Sequence, residues 1–197
     1  MSDASAAAAE AAAQLRALAS LADEVATTLS GQVAALASRV EMTLRGGGKL
    51  LFCGNGGSAA DAQHFAAEYV VRLDRVRAPL AAVALTTDTS ILTAGANDFG
   101  FEVVFERQVR ALARAGDLLI LHSTSGESEN LLRAARAASE LGVATAALLA
   151  KGGGRLRDRV DLALVVPTAS SARAQEIHRA VEHVVCDLVE RRLLGVA

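Results

Sequence analysis

The sequence predicts a doubly wound α/β fold, a three-layer sandwich with a five-stranded parallel sheet between helices, preceded by a long N-terminal helical extension. Three observations predict it. Five short apolar runs alternate with segments of helical periodicity, and most of the runs lack the polar alternation of a half-solvated strand, as strands buried on both faces do. Clusters of Gly, Ser, Thr, Asn and Asp follow the runs, where a doubly wound sheet places its ligand loops. Ahead of the first run stands an Ala-rich stretch, Ala6 to about Leu44, whose only Gly is Gly31 and which has no Pro.

That stretch repeats Leu15, Leu18, Leu21, Val25, Leu29, Val33, Leu36, Val40 and Leu44 at helical spacing, and predicts one long helix or two with a break near Ser30-Gly31. Such a stripe needs a surface to bury it, and packing against another subunit is the expectation. Gly46-Gly47-Gly48 ends the helix as a C-terminal cap would. The chain is read as an extension over 1–46 and one domain over 47–197.

The candidate strands are Lys49 to Cys53, Leu80 to Leu85, Asp117 to His122, Val143 to Leu149 and Leu162 to Val166. Between them, helical periodicity predicts helices over Ser58 to Leu73, Phe101 to Ala115, Ser128 to Leu141 and Ser170 to Leu194, with shorter pieces near Thr87 to Ala94 and Leu156 to Arg159. Right-handed crossovers then put the polar clusters beyond the carboxyl ends of the strands.

Composition excludes several function classes. With 20 basic and 22 acidic residues, one Tyr, five Phe and no Trp, the chain has neither the basic field nor the stacking aromatics that a nucleic acid needs. Cys53 and Cys186 both sit in apolar segments, which fits a reducing compartment. Met1 to Leu21 has Asp3 and Glu10 and no basic region before its alanines, unlike a signal peptide, and no uncharged apolar run reaches the ~20 residues of a membrane span. A cytoplasmic protein with no membrane partner is expected.

Chemistry concentrates in four places. Gly54-Asn55-Gly56-Gly57-Ser58 follows the first strand, with Ser58 read as the helix N-cap, so free N–H groups of the turn face outward where an anion can sit. Ser123-Thr124-Ser125-Gly126-Glu127-Ser128 leads into a helix in the same way and makes a second anion cradle. His64 and Glu68, four apart on one helix face, could hold a divalent metal or move a proton. Near the C-terminus, Gln175, His178, Glu182 and His183 offer further donors, which spacing alone does not rank; Gln175 and His183 are ~12 Å apart along a helix. Asn97-Asp98-Phe99-Gly100 reads as a turn in reach of a substrate.

Taken together these motifs resemble the sugar isomerase (SIS) domain, a flavodoxin-like fold, and within it the sedoheptulose 7-phosphate isomerase (phosphoheptose isomerase) family. The resemblance runs from about Gly47 to the C-terminus. It implies that the sugar phosphate is bound by Asn55, Gly56, Gly57 and Ser58, by Arg72, by Asn97 and Asp98, by Ser123, Thr124, Ser125 and Ser128, and by Gln175. It also implies a zinc ion held by His64, Glu68, Gln175 and His183, with Glu68 and His183 as catalytic base and acid. The implied reaction converts sedoheptulose 7-phosphate to D-glycero-D-manno-heptose 7-phosphate through an enediol(ate), the first step toward a nucleotide-activated heptose, in a homotetramer. One departure stands out: some members carry an acidic residue shortly before the glutamine, and Thr168 to Ala174 contains none. The competing reading from another class is a SIS-domain sugar-phosphate sensor or replication-initiator-associating protein without catalysis, against which the full His, Glu, Gln, His set argues.

Overall fold

The computed structural model describes residues 3–196. Two helices, α1 (Asp3–Thr28) and α2 (Ser30–Arg45), open the chain. The break falls at Leu29, whose ψ of 0° departs from the helix, one residue before the expected Ser30-Gly31. Five strands follow: β1 (Leu50–Gly54), β2 (Ala82–Ala84), β3 (Leu118–Ser123), β4 (Ala144–Leu149) and β5 (Leu162–Val165). They form one sheet in the order β2-β1-β3-β4-β5, and every pairing is parallel. The intervening helices are α3 (Gly57–Val70), α4 (Thr89–Phe99), α5 (Val104–Leu112) and α6 (Glu129–Glu140), and α7 (Ser171–Leu194) closes the chain.

The period of two along each strand splits the core into two layers. Leu50, Phe52, Leu118, Ile120, Ala146 and Leu148 face one side, where they pack with Val33, Leu36 and Val40 of α2, Phe65 and Tyr69 of α3, and Ile177, Val185 and Val189 of α7. Leu51, Cys53, Leu119, Leu121 and Ala147 face the other, against Val104, Phe105 and Val109 of α5 and Leu131, Ala134 and Ala138 of α6. The three-layer sandwich expected from the sequence is the observed fold. No helix among the described residues is long and apolar enough to cross a membrane.

The structure refines two expectations. Much of the N-terminal stripe is covered by its own chain: Val33, Leu36 and Val40 are buried because α2 lies along α7, while Leu15 on α1 stays 67% exposed. Asn97-Asp98-Phe99 is the last turn of α4 and only Gly100 leaves it, at φ +93, a value that L side chains rarely adopt. The helix is carried that far because Asp88 caps its start, accepting from Ile91 N, and nothing before Gly100 breaks it.

Candidate functional site

Because β1 and β3 are neighbours in the sheet but not in the chain, their two exit turns lie side by side at the switch in strand order. In the first turn Gly56 takes φ +58, and α3 begins at Gly57. Gly56, not Ser58, therefore occupies the N-cap, because the chain must pass through the left-handed region to enter the helix. Ser58 is buried at 3% exposure. The N–H groups of Gly56 and Gly57 have no hydrogen-bond partner among the described residues, which leaves them to a ligand at the positive end of α3.

The second turn is held rigidly. Ser123 Oγ accepts from Gly126 N at 3.0 Å, and Ser125 Oγ accepts from Glu127 N at 3.2 Å. Gly126, at φ +68, rests against the carbonyl of Gly153, so the 151–159 segment forms a floor beneath this turn. Thr124 Oγ1 donates to Ser171 Oγ at 3.3 Å. Ser128 is the backbone N-cap of α6, but its hydroxyl makes no capping bond and remains open to a ligand.

Asn55 and Asn130 join the two turns through a reciprocal amide pair, Asn55 Nδ2 to Asn130 Oδ1 at 3.0 Å and Asn130 Nδ2 to Asn55 Oδ1 at 2.8 Å. The Asn55 side chain is thus engaged with protein, and what it offers a ligand is its backbone. Nothing in the sequence pattern marked Asn130, which reads there as an ordinary residue of a helix's first turn.

Beside the cradles, α3 and α7 bring His64, Glu68 and His183 together, with one donor atom from each lying within 4.8 Å of the others. His64 Nε2 is 2.9 Å from His183 Nε2 and 3.5 Å from Glu68 Oε1. Two imidazole nitrogens can face each other so closely only by sharing a proton or by aiming two lone pairs at one cation. Two histidine nitrogens and one carboxylate, with a side open to solvent, form a donor set that suits a divalent metal with a vacant position for substrate. Burial, with His64 and Arg179 close by, holds the His183 imidazole below its ordinary value against the opposing pull of Glu68.

Gln175 sits two turns before His183 on α7 and turns its amide to the first cradle, 3.5 Å from Ser58 Oγ. The fit is close: a Cβ on Gly57 would stand 2.7 Å from the Gln175 amide nitrogen. Arg72 lies just beyond α3, exposed, donating to Asp74 O at 3.0 Å. Asn97 and Asp98 are exposed on α4 and bond to each other at 2.7 Å, with no contact to the His/Glu group.

His178 and Glu182 do not form the i,i+4 pair that their spacing allowed. His178 donates to Leu149 O at 3.0 Å, and burial pushes its imidazole down to about 4. Glu182 meets His122 at 2.8 Å, with both side chains buried. Burial raises the Glu182 carboxyl. It also pulls the His122 imidazole down, but the adjacent Glu182 carboxylate more than restores it. Asp61, buried one turn before His64, accepts from Arg179 at 2.6 Å. Sequence reading missed this polar layer behind the site; the signal was a His inside an otherwise aliphatic strand, Leu118 to His122.

A family model described as the SIS domain matches residues 14–150. The chain is 57% identical over 166 residues to a phosphoheptose isomerase of Roseiflexus sp. (strain RS-1), covering 84% of each chain. It is 54% identical to a phosphoheptose isomerase of Geobacter sulfurreducens, covering 92% of this chain and 96% of that one. A solved phosphoheptose isomerase from Neisseria gonorrhoeae superimposes with a TM-score of 0.87 at 44% identity, over 92% of this chain and 97% of the other.

Proposed function

The chain belongs to the phosphoheptose isomerase family of SIS-domain proteins, and from that premise we propose that it interconverts sedoheptulose 7-phosphate and D-glycero-D-manno-heptose 7-phosphate. The observation that carries this reading is the convergence of His64, Glu68 and His183 beside two anion cradles. A phosphate seated on the free N–H groups of the first turn and the hydroxyls of the second would anchor the far end of an open-chain sugar and place its C1 and C2 at the trio.

Glu68 would take a proton from C1 of the ketose while His183, acting as the acid, gives one to the C2 oxygen, leaving an enediol. Loss of the O1 proton and delivery of a proton to C2 then yield the aldose, so atoms and charge balance without an outside oxidant. His64, Glu68 and His183, with Gln175 as a fourth candidate, would hold zinc; when bound, the ion supplies Lewis-acid stabilisation of the developing oxyanion. Gln175, Ser58, Ser123, Thr124, Ser125 and Ser128 would orient the phosphate and hydroxyls, with Arg72, Asn97 and Asp98 available to a ligand that extends across the surface or to a neighbouring subunit.

The assembly belongs to the same reading. Residues 1–46 serve as an oligomerisation extension and 47–197 as the isomerase domain; the exposed Leu15 on α1 supports a homotetramer. A biosynthetic enzyme of this kind would work in the cytoplasm, with no nucleic-acid or membrane partner. The test is direct: purified protein loaded with zinc should deplete sedoheptulose 7-phosphate, and Glu68→Gln should not. Equal activity, or equal inactivity, of the two proteins overturns the assignment.

A further inference from the structure

Glu68 is the third residue from the end of α3, the turn of a helix most prone to fray, where the final carbonyls have no helical partner. Arg77 supplies those partners. Its Nη2 donates to Glu68 O at 2.7 Å and its Nη1 to Tyr69 O at 2.8 Å, placing a cation at the negative end of the helix dipole. Its Nε donates to Glu190 Oε1 at 2.9 Å, and the two side chains are only 4% and 2% exposed.

Glu190 gathers more than Arg77. The same carboxylate accepts from the backbone N–H groups of Leu73 at 3.0 Å, Asp74 at 3.3 Å and Arg75 at 3.1 Å. Those three residues follow Arg72 directly. Burial alone would raise the Glu190 carboxyl, but the three N–H donors and Arg77 outweigh it, so the group stays ionised. Glu190 stands on α7 two turns after His183. One buried ion pair therefore ties together the end of the helix that carries Glu68, the loop that carries Arg72, and the helix that carries His183.

Buried ion pairs contribute little net stability compared with apolar packing, so stability alone gives the chain weak reason to bury this one. We infer that Arg77 and Glu190 are positioning residues for the isomerisation, holding the Glu68 backbone and the Arg72 loop in fixed relation to His183. The inference rests on the proposed roles of Glu68 and His183.

The experiment compares Arg77→Met, Arg77→Lys and Glu190→Gln with the wild-type enzyme, each checked for fold by circular dichroism and assayed well below its melting temperature. Arg77→Met and Glu190→Gln should lower kcat by roughly 10–100-fold, the usual cost of losing the groups that orient a reactive side chain. Glu190→Gln should also raise KM and speed hydrogen exchange at the Leu73 to Arg75 amides. Arg77→Lys keeps the charge but reaches one carbonyl instead of two, and should recover part of the kcat lost in Arg77→Met. A folded Glu190→Gln protein with faster loop exchange but kcat and KM within about twofold of wild type overturns the inference, because the pair would then be structural only. If Arg77→Met and Glu190→Gln do not fold, Arg77→Lys decides alone, and unchanged kcat in it is equally fatal. Should the wild-type protein fail to turn over the sugar, the isomerase assignment falls instead. Zinc affinity by chelator competition then reads the positioning claim, with a loss of roughly tenfold or more in Arg77→Met supporting it and no change overturning it.

Discussion

Asn55 and Asn130 exchange two hydrogen bonds across 75 residues of sequence, and through that exchange the exit turn of β1 is fastened to the start of the helix that follows β3. Asn130→Leu would leave the Asn55 amide with two unmatched groups and let the turns move independently. The expected result is a tenfold or larger rise in KM for the sugar phosphate at roughly constant kcat, in line with ~1–3 kcal/mol for an unsatisfied polar partner. Steady-state kinetics on Asn130→Leu and Asn130→Ala would check it; unchanged KM in both would show that each turn binds alone.

Glu68→Gln keeps the size of the side chain and removes its basicity. Turnover should fall by about 10²–10⁴-fold, the range for losing a positioned general base. Because the side chain lies at the edge of the core, the melting temperature should stay within a few degrees of wild type. A melting curve run beside the rate assay separates lost chemistry from lost fold.

Metal removal gives an independent handle on the trio. Dialysis against a chelator should abolish activity, and zinc should restore it in the wild type but not in His64→Ala or His183→Ala, each of which loses one of the three donors. Metal content per subunit, measured by mass spectrometry, should fall in both variants. Retention of one full equivalent in either would exclude that residue as a ligand.

Gly57→Ala and Gly126→Ala make contrasting predictions. At Gly57 the added methyl meets only the end of the Gln175 side chain, at 2.7–3.0 Å, so the fold should hold while Gln175 is displaced from the cradle. Gly57→Ala should then share the kinetic defect of Gln175→Ala, and the double variant should be no worse than either. At Gly126 the methyl runs into the Gly153 carbonyl at a backbone φ of +68, and a loss of roughly 2–4 kcal/mol in stability is expected by denaturant titration.

Acid should unfold the protein partly through His178. Its imidazole, ordinarily near 6.5, is held down to about 4 by burial, so the unfolded chain binds the extra proton first and stability is lost as pH falls from about 6.5 toward 4. The window is worth roughly 3 kcal/mol at 1.36 kcal/mol per unit. His178→Gln, which can still donate to Leu149 O but cannot titrate, should flatten the stability–pH curve there. Glu190, whose carboxyl is held below its usual value, adds a further loss with the same sign at lower pH.

The fold was legible because its signals were local. Apolar runs such as Leu50 to Cys53 and Leu118 to Leu121 could serve only as strands buried on both faces, and the glycine turns marked their ends. The His64/Glu68 pair was legible for the same reason, lying on one helix. What escaped were relationships between distant elements: Asn130 beside Asn55, His122 against Glu182, Arg77 and Glu190 at the end of α3. Each is a single polar residue whose partner lies 60 or more residues away, and periodicity carries no trace of such a pairing. Local turn propensity also misled at Asn97-Asp98, where a capped helix ran on to Gly100 despite residues that favour turns.

The placement of Gln175, His183 and Glu190 on the last helix has a consequence for how the protein comes into being. A chain interrupted during synthesis between residues 166 and 182 would contain all five strands and both exit turns, yet lack His183 and the Glu190 carboxylate that fastens the Arg72 loop. Such fragments would also lack Val185 and Val189, which help to close one face of the sheet. Catalytic competence would therefore wait for the synthesis of the last helix, α7.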